Sequence, residues 1–123
     1  MSQTVMIVDD SVTMRDMVAI TLTGAGFQVV QAGDGNEAVV KLTSGSKPDL
    51  VVTDLNMPGM DGISLIREIR KMPTLKFTPI LMLTTESSDD KKAEGRAAGA
   101  TGWIVKPFNP EQFLKVLKKV LPA

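Results

Sequence analysis

Apolar positions along this chain fall into two alternating patterns. Four short runs, Val5-Met6-Ile7-Val8, Leu50-Val51-Val52, Ile80-Leu81-Met82-Leu83 and Trp103-Ile104-Val105, are too short for helices and continuous rather than alternating. Such runs suit strands buried on both faces. A fifth segment, Phe27 to Ala32, interleaves Gln28 and Gln31 with Val29 and Val30, and its mixed polarity predicts an edge strand. Between the runs lie apolar residues at helical spacing: Met14, Met17, Val18, Leu22 and Ala25; then Ile63, Ile66 and Ile69; then Phe113, Leu117, Val120 and Leu121. Shorter helices are expected over Gly35 to Leu42 and Asp89 to Ala98. Ser11, Asp34, Asp61 and Asn109 are placed to cap helices, and Gly24, Gly45 and Gly99 to terminate them.

This fivefold alternation implies a parallel sheet covered on both faces, and right-handed crossovers leave few topologies for five such units. The expectation is an α/β, doubly wound (βα)5 fold of flavodoxin-like type, with its five strands in the order 2-1-3-4-5. That order puts the polar second strand at an edge. It also creates a switch point between strands 1 and 3, where ligands bind beyond the carboxyl ends of the strands.

Composition narrows the function. A length of 123 residues suits one domain, 1–123, with no room for an output domain beside it. Fourteen basic residues balance fourteen acidic ones and aromatics are 4%, so no global field exists to hold nucleic acid or an anionic membrane. The absence of cysteine excludes disulfides, thiolate metal sites and thiol catalysis. No apolar run approaches the roughly 18 residues of a membrane span, and Met1 to Thr4 lead straight into a strand without a basic leader. The expectation is a soluble, unprocessed, cytoplasmic protein. Histidine is also absent, which removes the commonest general base, the commonest zinc ligand and any phosphohistidine. Chemistry here must run on carboxylates, lysine, hydroxyls and bound metal.

The strand ends supply those groups: Asp9 and Asp10 after the first, Asp54 at the end of the third, Thr84 and Thr85 after the fourth, and Lys106 after the fifth. Each has a plain explanation alone, as a helix-terminus acid, a turn former, a strand-end hydroxyl or a solvated lysine. On one rim they mean more, because a like-charged pair ~4 Å apart costs on the order of 4 kcal/mol at an effective dielectric of 20. A cation has to be present. With only oxygen ligands on offer, the site suits Mg²⁺. Lysine and threonine opposite would receive phosphoryl oxygens, so the chemistry points to phosphoryl transfer onto a carboxylate.

Four stretches then resemble a known family: Val5 to Ser11, Pro48 to Gly62, Leu83-Thr84-Thr85 and Lys106-Pro107-Phe108. In this order and spacing the whole chain is similar to a response-regulator receiver domain. The resemblance implies that Asp54 is phosphorylated, and that Asp10, Asp54 and the backbone carbonyl of Asn56 ligate Mg²⁺ with Asp9 behind a coordinated water. It also implies that Lys106 pairs with the phosphoryl group, that Thr84 hydrogen-bonds it, and that the bond before Pro107 is cis. In the family's switch Thr84 moves toward the phosphoryl group and an aromatic on the fifth strand, here Trp103, swings inward. Trp103 is a departure from the usual tyrosine or phenylalanine, and Thr85 from the usual small residue. Asn56 and Glu86 occupy positions where this family tunes phosphoryl lifetime, although exposed loop polarity accounts for them equally.

The stretch Gly99 to Phe108 looks most like the stand-alone chemotaxis regulators. On that resemblance the partners are a histidine kinase as phosphodonor, in trans because the chain has no histidine, and a flagellar switch or other target protein. The chain would act as a monomer and catalyse only its own phosphorylation and dephosphorylation. An alternative is a phosphorelay intermediate that passes phosphate from Asp54 to a histidine phosphotransfer protein. An aspartate-dependent phosphatase would want an aspartate where Asn56 stands, and a flavodoxin-type carrier would want more aromatics.

Overall fold

Continuous apolar runs need cover on both faces, and the chain provides it by returning each crossover helix to one side or the other. The computed structural model describes residues 3–121. Strands β1 (Thr4–Val8), β2 (Gln28–Ala32), β3 (Leu50–Thr53), β4 (Ile80–Thr84) and β5 (Gly102–Val105) alternate with helices α1 (Val12–Gly24), α2 (Gly35–Thr43), α3 (Gly62–Arg70), α4 (Asp89–Ala98) and α5 (Pro110–Val120). All strand pairs are parallel, in the order β2-β1-β3-β4-β5. This is the doubly wound, flavodoxin-like sheet the sequence predicts.

Alternate strand residues feed two separate cores. Met6, Val8, Val51, Ile80 and Met82 pack with Ala38 and Leu42 of α2 and Ile63, Ile66 and Ile69 of α3. Val5, Ile7, Val52, Leu81 and Leu83 pack with Val18 and Leu22 of α1 and Phe113 and Leu117 of α5. Ser11, Asp34, Asp61 and Asn109 each accept a backbone N–H from the first turn of the helix that follows, as expected.

Three local expectations need correction. β5 is the second edge of the sheet, so Trp103 and Ile104 are half-buried and Val105 is 38% exposed, not buried on both faces. On α1 the core stripe is Met14, Val18 and Leu22, while Met17 is 52% exposed and Ala25 lies beyond the helix end. The left-handed residue after α1 is Gly26 (φ 93°), with Gly24 still helical. The Ser88 hydroxyl caps α4, and a 3-10 turn at Pro73–Leu75 precedes β4. Among the described residues no helix is long and apolar enough to cross a membrane.

Candidate functional site

Sheet register builds the site. Val8 pairs with Thr53 and Thr84 with Val105, so the next residues along, Asp9, Asp54 and Lys106, share one rim with Thr84. The ladder continues one residue past the strands: Asp9 N–H donates to the Ala32 carbonyl at 3.2 Å, Asp54 N–H to Val8 at 2.9 Å and Lys106 N–H to Thr84 at 2.8 Å. The functional side chains are thus anchored on sheet backbone rather than on free loops, which fixes their direction.

Lys106 lies between two carboxylates, its Nζ donating to Asp9 Oδ2 at 2.9 Å and Asp54 Oδ2 at 3.1 Å. The other oxygens are also engaged: Ser11 N–H donates to Asp9 Oδ1 at 2.9 Å, and Leu55 N–H donates to Asp54 Oδ1 at 2.7 Å. Burial by itself lowers the Lys106 pKa, but the hydrogen bonds and charges of Asp9 and Asp54 outweigh it and hold the ammonium above its ordinary value. The lysine is therefore a fixed positive charge at neutral pH. Asp10 is exposed, yet a carboxylate oxygen from each of Asp9, Asp10 and Asp54 lies within 4.8 Å of the others. Three negative charges facing one lysine leave an excess of two. With oxygen donors only and a crevice open to water at Asp10, the donor set fits a hard, partly hydrated dication such as Mg²⁺.

The remaining expected residues lie around this cluster. Asn56 is exposed two residues beyond Asp54. Thr84 is fully buried, and its hydroxyl accepts the Glu86 N–H at 3.3 Å rather than touching the carboxylates. The carbonyl of the same Glu86 accepts the Trp103 indole N–H at 2.8 Å. Trp103 is half-buried against α4, where a Cβ on Gly95 would lie 2.7 Å from its ring. Glycine at position 95 therefore makes the room that an indole, larger than the usual aromatic, requires. The Lys106–Pro107 peptide is cis. Thr85 is exposed.

Two contributors escape the sequence reading. Arg15 reaches back from α1 to donate from Nη1 to the Asp9 carbonyl at 2.6 Å and from Nε to Gln31 at 3.3 Å, bracing the acidic turn against β2. Gly62 brings the start of α3 against the Asp54 backbone, its N–H donating to the Leu55 carbonyl at 2.8 Å. Neither makes a contact that local spacing could have indicated.

Comparison with known proteins agrees with this geometry. The family model described as "Response regulator receiver domain" matches residues 5–118. Chemotaxis protein CheY of Pseudomonas aeruginosa is 41% identical over 117 residues, covering 94% of this chain and 94% of that protein. The phosphate regulon transcriptional regulatory protein PhoB of the same species is 36% identical over 97% of this chain, which spans about half (52%) of PhoB. The solved structure of Vibrio cholerae chemotaxis protein CheY4 superposes with a TM-score of 0.94 at 50% identity, covering 98% of this chain and 100% of that one. With an acidic rim and lysine on a 2-1-3-4-5 sheet, and a family match spanning nearly its whole length, this chain belongs to the response-regulator receiver family.

Proposed function

We propose that this chain is a phosphorylation switch in which a partner histidine kinase transfers a phosphoryl group to Asp54 in a Mg²⁺-dependent reaction, and the phosphorylated form binds a target protein in chemotaxis. The observation that carries this reading is the convergence of the Asp9, Asp10 and Asp54 carboxylates, two of which, Asp9 and Asp54, share the Lys106 ammonium. An Asp54 oxygen attacks phosphorus, the phosphorus–nitrogen bond of the donor phosphohistidine breaks with its electron pair passing to the ring nitrogen, and the imidazole leaves neutral, keeping the proton already on its other ring nitrogen. The donor is external because this chain has no histidine. Asp10, Asp54 and the Asn56 carbonyl would hold Mg²⁺, with Asp9 behind a water, and the bound ion would supply charge neutralisation during transfer.

Lys106 then follows the charge as it moves onto phosphoryl oxygens, and Thr84 offers its hydroxyl to them. Thr84 would give up its bond to the Glu86 N–H in doing so. Because the Glu86 carbonyl holds the Trp103 indole, the β4–α4 turn passes the change to β5. Kinship with the chemotaxis regulators supports a flagellar switch as the target.

The test incubates the protein with Mg²⁺ and acetyl phosphate. Expected are an acid-stable, base-labile phosphate that borohydride converts to homoserine at position 54, together with a change in Trp103 fluorescence. Phosphate on another residue, or none with Mg²⁺ present, would overturn the reading. Two variants probe the charge logic. Lys106→Ala should slow phosphorylation by about a hundredfold, the usual loss for a positioned charge stabiliser. The same variant should bind Mg²⁺ more tightly, since a competing cation is gone; fluorescence titration of Trp103 reads both. Asp10→Ala should stabilise the metal-free protein by about 1 kcal/mol, a like-charge repulsion discounted for exposure. Its Mg²⁺ affinity should fall, so urea unfolding with and without Mg²⁺ should converge.

A further inference from the structure

At the opposite end of the sheet from Asp54, the loops entering β3 and β4 meet the last turn of α5 around a groove of about 610 Å³. Lys47, Lys76, Phe77, Pro79, Lys119 and Leu121 are among its lining residues. Phe77 is 90% exposed, more than any other large hydrophobic side chain described. Its loop is nonetheless fixed. The half-buried Arg70 guanidinium donates from Nη1 to the carbonyls of Leu75 at 3.1 Å, Lys76 at 3.1 Å and Thr78 at 2.7 Å, bracketing Phe77 on both sides. From Nε and Nη2 it also donates to the Gly99 carbonyl, at 3.2 and 2.8 Å, tying the loop to the end of α4. A large aromatic displayed on a backbone already held in place has the character of an interface anchor, because little ordering is left for binding to supply.

Charge indicates the partner. Lys47, Lys76 and Lys119 are exposed, and none forms an ion pair among the described residues. Asp49, the one acid in the lining, accepts the Thr4 N–H at 2.7 Å. We infer that this groove docks an acidic peptide segment of a partner protein, with an apolar side chain against Phe77 and carboxylates reaching the three lysines. Five residues along β3 separate Asp49 from Asp54, about 17 Å at ~3.4 Å each. The groove can therefore be filled while the phosphoacceptor rim is engaged, and the inference does not depend on how Asp54 reacts.

The test is an array of twelve-residue acidic peptides with a single central Phe or Leu, alongside counterparts lacking the anchor or the acids. Each is titrated into the unphosphorylated, isotopically labelled protein and followed by amide shifts. Expected is binding that needs both features, weakens from low to high salt, and shifts residues 47–49, 73–79 and 119–121. Phe77→Ser should weaken it by about thirtyfold, as loss of an interface anchor does. A Lys76→Glu, Lys119→Glu pair should weaken it comparably, while Asp54→Asn leaves it unchanged. Phe77 is too exposed for its loss to unfold the chain, which circular dichroism checks. Failure of every peptide to bind, equal binding by Phe77→Ser, or shifts centred on α4 and β5 would overturn the inference. So would Phe77-dependent binding to anionic phospholipid vesicles in place of the peptides.

Discussion

Asp54→Asn is expected to reduce phosphate uptake from acetyl phosphate to background, while the protein remains folded. The substitution keeps the shape of the side chain and changes only its chemistry. A carboxamide oxygen carries no full charge and its nitrogen lone pair is delocalised, so neither atom forms the mixed anhydride that a carboxylate forms. Both Asp54 oxygens accept hydrogen bonds, one from Leu55 N–H at 2.7 Å and one from Lys106 at 3.1 Å. A carboxamide can accept at only one of these positions. In either orientation its NH₂ faces a donor: the Leu55 N–H if the oxygen stays on Lys106, or Lys106 itself, which would then shift toward Asp9. Removing one of three crowded carboxylates works in the opposite direction, and the net change in metal-free stability should be small. Phosphate incorporation with Mg²⁺ and a urea denaturation curve test the two statements separately. Normal uptake by a folded Asp54→Asn protein would remove Asp54 from the reaction.

The position of Asp54 was legible in the sequence because strand ends are legible. Residues 5–8 and 50–52 are continuous apolar runs, so the first acids after them had to lie at the carboxyl rim, and parallel register then set Asp9 beside Asp54. The mixed polarity of residues 27–32 likewise marked β2 as an edge. The same logic misread β5, because a continuous run reports shielding from water without saying what shields it. Trp103 packs toward one core and Ile104 toward the other, and no strand lies beyond them. Met17 was misassigned for a related reason: on a helix both the third and the fourth neighbour fit the period, and only packing selects Met14 and Val18 over it.

The side-chain contacts that brace the rim and its neighbouring loops were not legible. Arg15 braces Asp9 through a carbonyl and Gln31, Arg70 holds carbonyls on a loop and at the end of α4, and Gly95 matters only because Trp103 covers it. Nothing in the local pattern of these residues distinguishes them from solvated arginines or an ordinary helix glycine. The chemistry of the rim follows from position along the chain, whereas what holds the rim in place follows from packing.

Gly62→Ala is the substitution in which packing and chemistry meet, and it is expected to cost about 3 kcal/mol or more, the upper range for overpacking a tight site. A Cβ there would lie 2.2 Å from the Asp54 carbonyl oxygen and 2.9 Å from the Leu55 Cα. These are backbone atoms, so no side-chain rotation relieves the clash; either α3 retreats or the Asp54–Leu55 turn moves. Retreat of α3 would loosen Ile63, Leu65, Ile66 and Ile69, all at most 1% exposed in the core beneath. Movement of the turn would displace the Leu55 N–H that fixes one Asp54 oxygen and the Asp9–Lys106–Asp54 arrangement with it. For a domain of this size the loss corresponds to a melting temperature lower by about 10 °C or more. Phosphorylation at a temperature where the variant is still folded should also be slower than in the unaltered protein. Gly24→Ala is the control: it closes α1 with nothing within 4 Å of the added carbon and should be neutral or slightly stabilising. Equal melting temperatures for the two variants would show that α3 does not rest on the Asp54–Leu55 turn in the way these distances require.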